Sequence, residues 1–327
     1  DIVDYPGEWL LDLGLMPQSY AEWSVSALAS ARQRPEAATF LAWVDAQNAS
    51  EPFDETVAIE GAQIFAAYLK AAKAAGRSGV APGRFLLPGE MEGAPALTFM
   101  PLPSEAAGPL AAECARRFEA YKRVVVRPFF RDHFGRLDRQ IVLVDLLSAV
   151  GQGPESLRDL QETLTGILGA FRPGASSWLA PLLGRRVDKL LLAVTKADHI
   201  HHESHPALNA LVRDLLARTI DRAAFRGAEV DAMALAGVRA TVEDTVREGG
   251  EALPAVRGRL LDTGREAVLF PGEPPETLAA LKQGGWDTTA FDAHAFAPPR
   301  LEKREDEGPP HVRLDRAAEF LFGDKLA

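Results

Sequence analysis

Three apolar runs limit the architectures open to this chain more than any other feature. They are IVLVD (Ile141–Asp145), LLLAVT (Leu190–Thr195) and VDAMALA (Val230–Ala236). Each is near-continuous rather than alternating, so both faces of the strand must be covered, as in a parallel sheet between helices. Ile2–Asp4 reads as the end of another such strand, spilling into a Pro-Gly loop. The intervening helices are visible by period. Glu155–Phe171 places Leu157, Leu160, Leu164 and Ile167/Leu168 on one face, and His205–Phe225 repeats Leu208, Leu211/Val212, Leu215 and Ile220 in the same way. From 140 to 236 the order strand, helix, strand, helix is a doubly wound α/β pattern.

The texture differs on either side. Residues 15–135 are Ala-rich and mainly helical, with FLAWV (Phe40–Val44) and Glu55–Gly76 as the clearest helices and a Pro/Gly-rich stretch at 81–109. This part sits in the sequence like a helical insertion between the first strand and the second. After 250, VRGRLL and REAVLFPG are short β-like runs, LKQGG is a turn, LEKREDEG (Leu301–Gly308) is a solvated loop, and LDRAAEFLFG is a last helix. No internal repeat is visible.

Composition excludes several classes. A net charge of -10 repels nucleic-acid backbones over most of the surface. The single cysteine, Cys114, rules out an internal disulfide framework and reads as a core residue. No apolar run approaches the ~20 residues that span a bilayer. With no signal peptide in view, a reducing cytoplasmic setting is the expectation.

Two loops carry chemistry. In DYPG, Asp4 and Gly7 stand three apart at the expected carboxyl end of a strand, where open α/β sheets bind ligands. A carboxylate there can hold Mg²⁺ through water, and a glycine lets its N–H approach a terminal phosphate. An Asx-type turn is the plainer reading of the same residues. In Thr195-Lys196-Ala197-Asp198 an ionised Asp198 can accept from guanine N1–H and the N2 amino group, whereas adenine offers an acceptor at N1. The Lys196 stem can lie along the purine and ribose. A surface turn is the alternative, but the buried strand feeding each loop favours the nucleotide reading.

DIVDYPGE resembles the third motif of P-loop GTPases, and TKAD resembles their guanine-specificity motif. DIVDYPGEWLLDL, RFEAYKRVVVRPFFRDHFGRLDRQIVLVD, VTKADHI and VRLDRAAEFLFGDKL resemble the bacterial YcjX-like family of P-loop NTPases, stress-associated GTPase-like proteins. The resemblance runs from the first residue to the last, with gaps in 50–110. It implies a mostly parallel P-loop NTPase-type sheet, a large helical insertion and a small α+β extension. The expected divisions are 1–14 (switch strand and loop), 15–135 (insertion), 136–250 (rest of the GTPase domain) and 251–327 (extension). It implies GTP/GDP and Mg²⁺ as ligands, hydrolysis of GTP to GDP as a regulatory switch, a stress-response setting, and an inner-membrane protein as partner.

The departures bear on chemistry. Nothing matches G-x-x-x-x-G-K-[ST], which the family carries upstream of DYPGE. The expectation is therefore a chain that starts partway through the nucleotide domain and, as given, binds nucleotide poorly or not at all. Glu8 stands where Ras-like enzymes carry a glutamine that orients water; it can act as a base, or be a solvated switch residue. Thr195 replaces the commoner Asn and leaves a hydroxyl to brace the phosphate loop. The backbone amides that touch the guanine oxygen are expected near Ala236-Gly237.

Two further constellations have plainer readings. DHIHHESH (Asp198–His205) holds four of seven histidines and can ligate zinc or nickel, as in a metal-dependent hydrolase. It contains no H-E-x-x-H, and Ser204 or His205 before Pro206 reads as a helix start. Arg116–Arg139 carries +5, leaving -15 elsewhere. Arg127, Arg131 and Arg136, among Phe129, Phe130 and Phe134, can form an anion surface or an arginine finger; a helix-to-loop junction paired with acids is favoured. A membrane-facing patch there lacks a clean amphipathic period. A rival to the GTPase is a scaffold or binding module with a vestigial or regulatory nucleotide site.

Overall fold

The computed structural model describes residues 2–48, 50–103, 108–132, 137–170, 187–225, 228–282, 291–292, 294–299 and 308–326. The chain divides into two units, Asp1–Arg136 with Glu162–Arg185, and Leu137–Gln161 with Arg186–Ala327.

The first unit is helical: α1 (Tyr20–Arg32), α2 (Ala38–Asp45), α3 (Glu55–Ala74), α4 (Gly83–Leu86), α5 (Pro109–Tyr121) and α6 (Arg127–Asp132), preceded by a 3₁₀ helix over Gly7–Leu15. Its helix starts are encoded locally. Ser19 and Glu22 form a reciprocal capping box for α1, and Asp54 accepts the Thr56 N–H at 2.7 Å to cap α3. Its core is aromatic: Trp23 stacks on Phe118 at 4.9 Å, and Phe65, Phe85 and Phe99 meet edge to face. Such pairs contribute about 1 kcal/mol each beyond the area they bury. Cys114 lies in this core, where burial pushes its thiol up to about 11, as its lone occurrence implied.

One expectation is corrected here. Ile2–Asp4 is not a strand: among the described residues no ladder bonds reach it, and Ile2 is 86% exposed. An apolar pair makes a strand only where a neighbour satisfies its backbone, and that partner is not a local property. Within Arg116–Arg139, α5 continues through a π turn (Lys122–Val126) into α6, and Leu137 and Asp138 beyond it are in neither helix nor strand, in keeping with a helix-to-loop junction. Pro128 has no N–H to give the preceding turn, which the wider π turn accommodates. The pairing with acids is present: Arg117 contacts Glu113 and Glu55, and Arg131 contacts Asp132. Phe134 and Arg136 lie outside the described residues.

The second unit is built on a parallel sheet of β1 (Arg139–Val144), β2 (Lys189–Val194) and β3 (Glu229–Ala234), in that order. The helix α7 (Leu146–Gln152) and the first half of α8 (Pro154–Ala170), as far as Gln161, follow β1, and α9 (His205–Phe225) links β2 to β3. The central strand is buried from Leu190 to Val194, as its unbroken apolar run requires. On one face Leu191 and Ala193 pack against Ala317 and Leu321 of the last helix, α11 (Leu314–Leu326).

An antiparallel sheet completes this unit: β4 (Thr241–Glu248), β5 (Glu251–Arg259) and β6 (Glu266–Leu269). Gly249 and Gly250 both have positive φ, which a two-residue hairpin turn demands, and they set Glu248 opposite Glu251. Pro254 sits on β5 before its pairing with β6 begins at Val256, so it removes no bond from a doubly paired position. A short helix, α10 (Leu278–Lys282), takes in the first two residues of LKQGG, which are therefore helix rather than turn. The rest of that run and residues 301–307 lie outside the described residues. Among the described residues no helix is long and apolar enough to cross a membrane.

Candidate functional site

In the second unit the loop after β2 is tied to the ends of both flanking strands. Thr195 N–H donates to Val144 O of β1 at 3.0 Å, and its hydroxyl reaches the same carbonyl at 3.4 Å. Ala197 N–H donates to Leu235 O, just past β3, at 3.1 Å. Between these anchors Lys196 is left-handed, with φ 59. That conformation costs a non-glycine residue about 1 kcal/mol, and bonds on both sides hold it. The turn projects the Lys196 ammonium onto Asp145, with Nζ 2.6 Å from Oδ2. Both side chains are nearly half exposed, so the pair orients the lysine more than it stabilises the fold.

Asp145 ends the IVLVD run and also caps α7 by accepting from the Ser148 N–H and hydroxyl. Sequence reasoning passed over it, although its place at the carboxyl end of a strand was the available signal.

Asp198 is 5% exposed. Its Oδ2 accepts the Ala240 N–H at 2.6 Å, and its carbonyl accepts the Thr241 hydroxyl. A carboxylate offers about four acceptor positions, so one backbone bond leaves capacity for a donor pair. Asp198 lines a cavity of about 250 Å³ with His202, His205, Arg239, Glu243 and Arg313. Ala236 is buried, and its N–H donates to Val312 O at 3.0 Å, so that amide is committed within the protein; Gly237 beside it is exposed. Thr195, Lys196, Asp198, Ala236 and Gly237 thus gather at the carboxyl edge of one parallel sheet.

The histidine loop is a 3₁₀ turn (His202–Ser204) leading into α9 at His205, the expected helix start. His201, His202 and Glu203 bring donor atoms within 4.8 Å of one another, and His202 Nδ1 lies 3.1 Å from Glu243 Oε2.

The first unit carries Asp4, Gly7 and Glu8. Asp4 and Gly7 are exposed, and Asp4 lines a cavity of about 330 Å³ with Tyr5, Trp9, Arg84, Val124 and Phe129. Glu8 pairs with Lys73 of α3. Burial pushes the Glu8 carboxyl up, but the Lys73 ammonium bonded to it outweighs this and holds it below the usual carboxylate range. The following residues are anchored to the helices. Trp9 donates to Leu87 O at 3.1 Å, with the Arg84 guanidinium 3.3 Å above its ring. Asp12, 2% exposed, accepts from Gly83 N–H at 2.7 Å and Tyr121 hydroxyl at 2.5 Å. Burial raises the Asp12 carboxyl to about 7, against the lowering effect of those bonds.

Comparison with known proteins gives consistent matches. Residues 1–326 match the family described as the YcjX-like family, DUF463. The chain is 38% identical over 339 residues to "Ras-like GTPase YcjX" of Escherichia coli (strain K12), covering 100% of this chain and 72% of that protein. It is 34% identical over 343 residues to the protein of the same name from Shewanella oneidensis (strain MR-1), covering 100% and 70%.

Proposed function

The chain belongs to the YcjX-like family, and from that premise we propose that it forms the base-selecting and switch-bearing part of a guanine-nucleotide-binding P-loop GTPase. The observation that carries this reading is the Thr195–Asp198 loop. A buried carboxylate, held by one backbone N–H, stands at the carboxyl edge of a parallel sheet beside a lysine in a left-handed turn. Asp198 accepts from guanine N1–H and the N2 amino group, and Lys196 lays its stem along the purine. Thr195 braces the loop from the end of β1, and Gly237, more than Ala236, faces the guanine oxygen with its amide. In the first unit, Asp4 would hold Mg²⁺, and Gly7 would let its amide approach a terminal phosphate. The metal, when bound, neutralises charge on the phosphate oxygens. A water oxygen bonds to the γ-phosphorus as the bond to the bridging oxygen breaks, and Glu8 takes the water's proton.

The switch role rests on the anchoring of DYPGEWLLD. Trp9 and Asp12 tie the residues after Gly7 to α4 and α5, so a change at the γ-phosphate is transmitted to helices. A stress-related setting follows from the family alone. The second reading, a scaffold or binding module with a regulatory nucleotide site, is favoured by the Glu8–Lys73 pair, which occupies the residue best placed to act on water.

The test is a titration of GDP, GTP and ADP, with Mg²⁺, into protein made with whatever coding sequence precedes Asp1. Micromolar guanine binding with ADP excluded is the expected result. Equal binding of ADP, or none of either, overturns the reading. Binding of GTP without turnover moves the weight to the scaffold.

A further inference from the structure

We infer that His205 and Arg313 are a positioning pair that fixes the base-selecting loop and makes the start of α11 part of it; this rests on the guanine reading of Asp198. His205 is 3% exposed, and both ring nitrogens are bonded. Nε2 lies 2.7 Å from the carbonyl of Ala197, the residue before Asp198, and Nδ1 lies 2.9 Å from Arg313 Nη1. The roles follow from chemistry. A guanidinium only donates and a carbonyl only accepts, so Nδ1 accepts, Nε2 carries the proton, and the ring is neutral. Arg313 Nη1 also donates to Ala234 O at 3.1 Å, at the end of β3.

One relay therefore runs from Ala197 through His205 and Arg313 to the carboxyl end of β3. The same stretch is fastened a second time where Val312 and Ala236 exchange N–H···O bonds at 2.9 and 3.0 Å. Arg313 is left-handed, with φ 54, a cost that its three-way placement sustains. The arrangement is more specific than packing demands. A leucine would fill the space of His205 but remove the 2.7 Å bond to the Ala197 carbonyl and leave the Arg313 guanidinium with its bond to Ala234 O alone of the two it makes here. Asp198 itself is held from the other side, its carboxylate by the Ala240 N–H and its carbonyl by the Thr241 hydroxyl, so the Ala197–Asp198 backbone is fixed between Thr241 and the His205 relay. Base discrimination by a carboxylate needs such fixed geometry, since a loop that can rotate accepts other hydrogen-bond patterns.

The experiment compares His205→Leu, His205→Gln, Arg313→Gln and the double variant His205→Leu/Arg313→Gln, in protein carrying any sequence upstream of Asp1. The ratio of GDP to ADP affinity should fall about ten-fold in His205→Leu and Arg313→Gln, no further in the double variant, and be largely restored in His205→Gln, whose amide can both donate and accept. Amide hydrogen exchange at 197–199, measured without nucleotide, should rise in the first two variants. Folded variants with unchanged exchange and an unchanged ratio overturn the pair's role. If His205→Leu does not fold, the half-buried Arg313→Gln decides the question by the same two readouts. Wild-type protein with no preference for GDP over ADP instead overturns the guanine reading, while the exchange result still decides the positioning role.

Discussion

The Tyr121 hydroxyl donates to Asp12 Oδ2 across 2.5 Å, while Gly83 N–H donates to the other oxygen at 2.7 Å. A carboxyl this buried titrates near pH 7, against about 3.9 in an unfolded chain. The folded state therefore holds a proton that the unfolded state releases, and this contribution is fully present below pH 4 and lost as pH rises towards 7. Asp12→Asn mimics the protonated form, with its oxygen for Gly83 and its amide for Tyr121. It should flatten the decline in stability between pH 4 and 7, measured by urea unfolding. A variant as pH-dependent as wild type contradicts the assignment.

A Cβ on Gly83 would stand 2.0 Å from the Glu8 carbonyl oxygen, a backbone atom that cannot swing aside. Gly83→Ala should therefore cost about 3 kcal/mol in denaturant unfolding. A cost below about 0.5 kcal/mol would mean that the turn after DYPG does not sit against α4 in solution.

Lys73 is half exposed, so Lys73→Gln should change stability by less than about 1 kcal/mol. It frees Glu8 and raises the basicity of its carboxyl. If Glu8 takes the proton from water, kcat for GTP should rise several-fold with GDP affinity unchanged, whereas Glu8→Gln should lower it. An unchanged kcat in both variants removes Glu8 from the chemistry.

Asp145→Asn keeps an oxygen for the α7 cap but removes the charge facing Lys196. Stability should move by less than about 1 kcal/mol, and GDP affinity should fall about three-fold as the lysine loses its anchor. Calorimetric titration of GDP reads the change; an unchanged GDP affinity would show that Lys196 does not lie along the bound purine.

What was legible in the sequence was whatever declares itself locally. The run LLLAVT announced a strand covered on both faces, and the residues after it announced where a ligand loop would lie. Ile2 and Val3 misled because strand formation depends on a neighbouring backbone, not on β-branched character alone. The strand Thr241–Glu248 went unread because its charges fall in adjacent pairs, Glu243-Asp244 and Arg247-Glu248, and only two apolar residues interrupt them, though the Gly-Gly turn beside it was in plain view. His205 was legible only as a helix start; its bond to Arg313 joins residues 108 positions apart.

The central claim is that Asp198 selects guanine. Asp198→Asn replaces an acceptor with a donor at the position facing the N2 amino group, which in xanthine is a carbonyl, while its remaining oxygen can still accept N1–H and the Ala240 N–H. Affinities for GDP and xanthosine diphosphate, measured by calorimetry on wild type and variant with any sequence upstream of Asp1, decide it. The account expects GDP binding to fall at least ten-fold and xanthosine diphosphate binding to rise by a similar factor. A variant that keeps wild-type preference for GDP contradicts it.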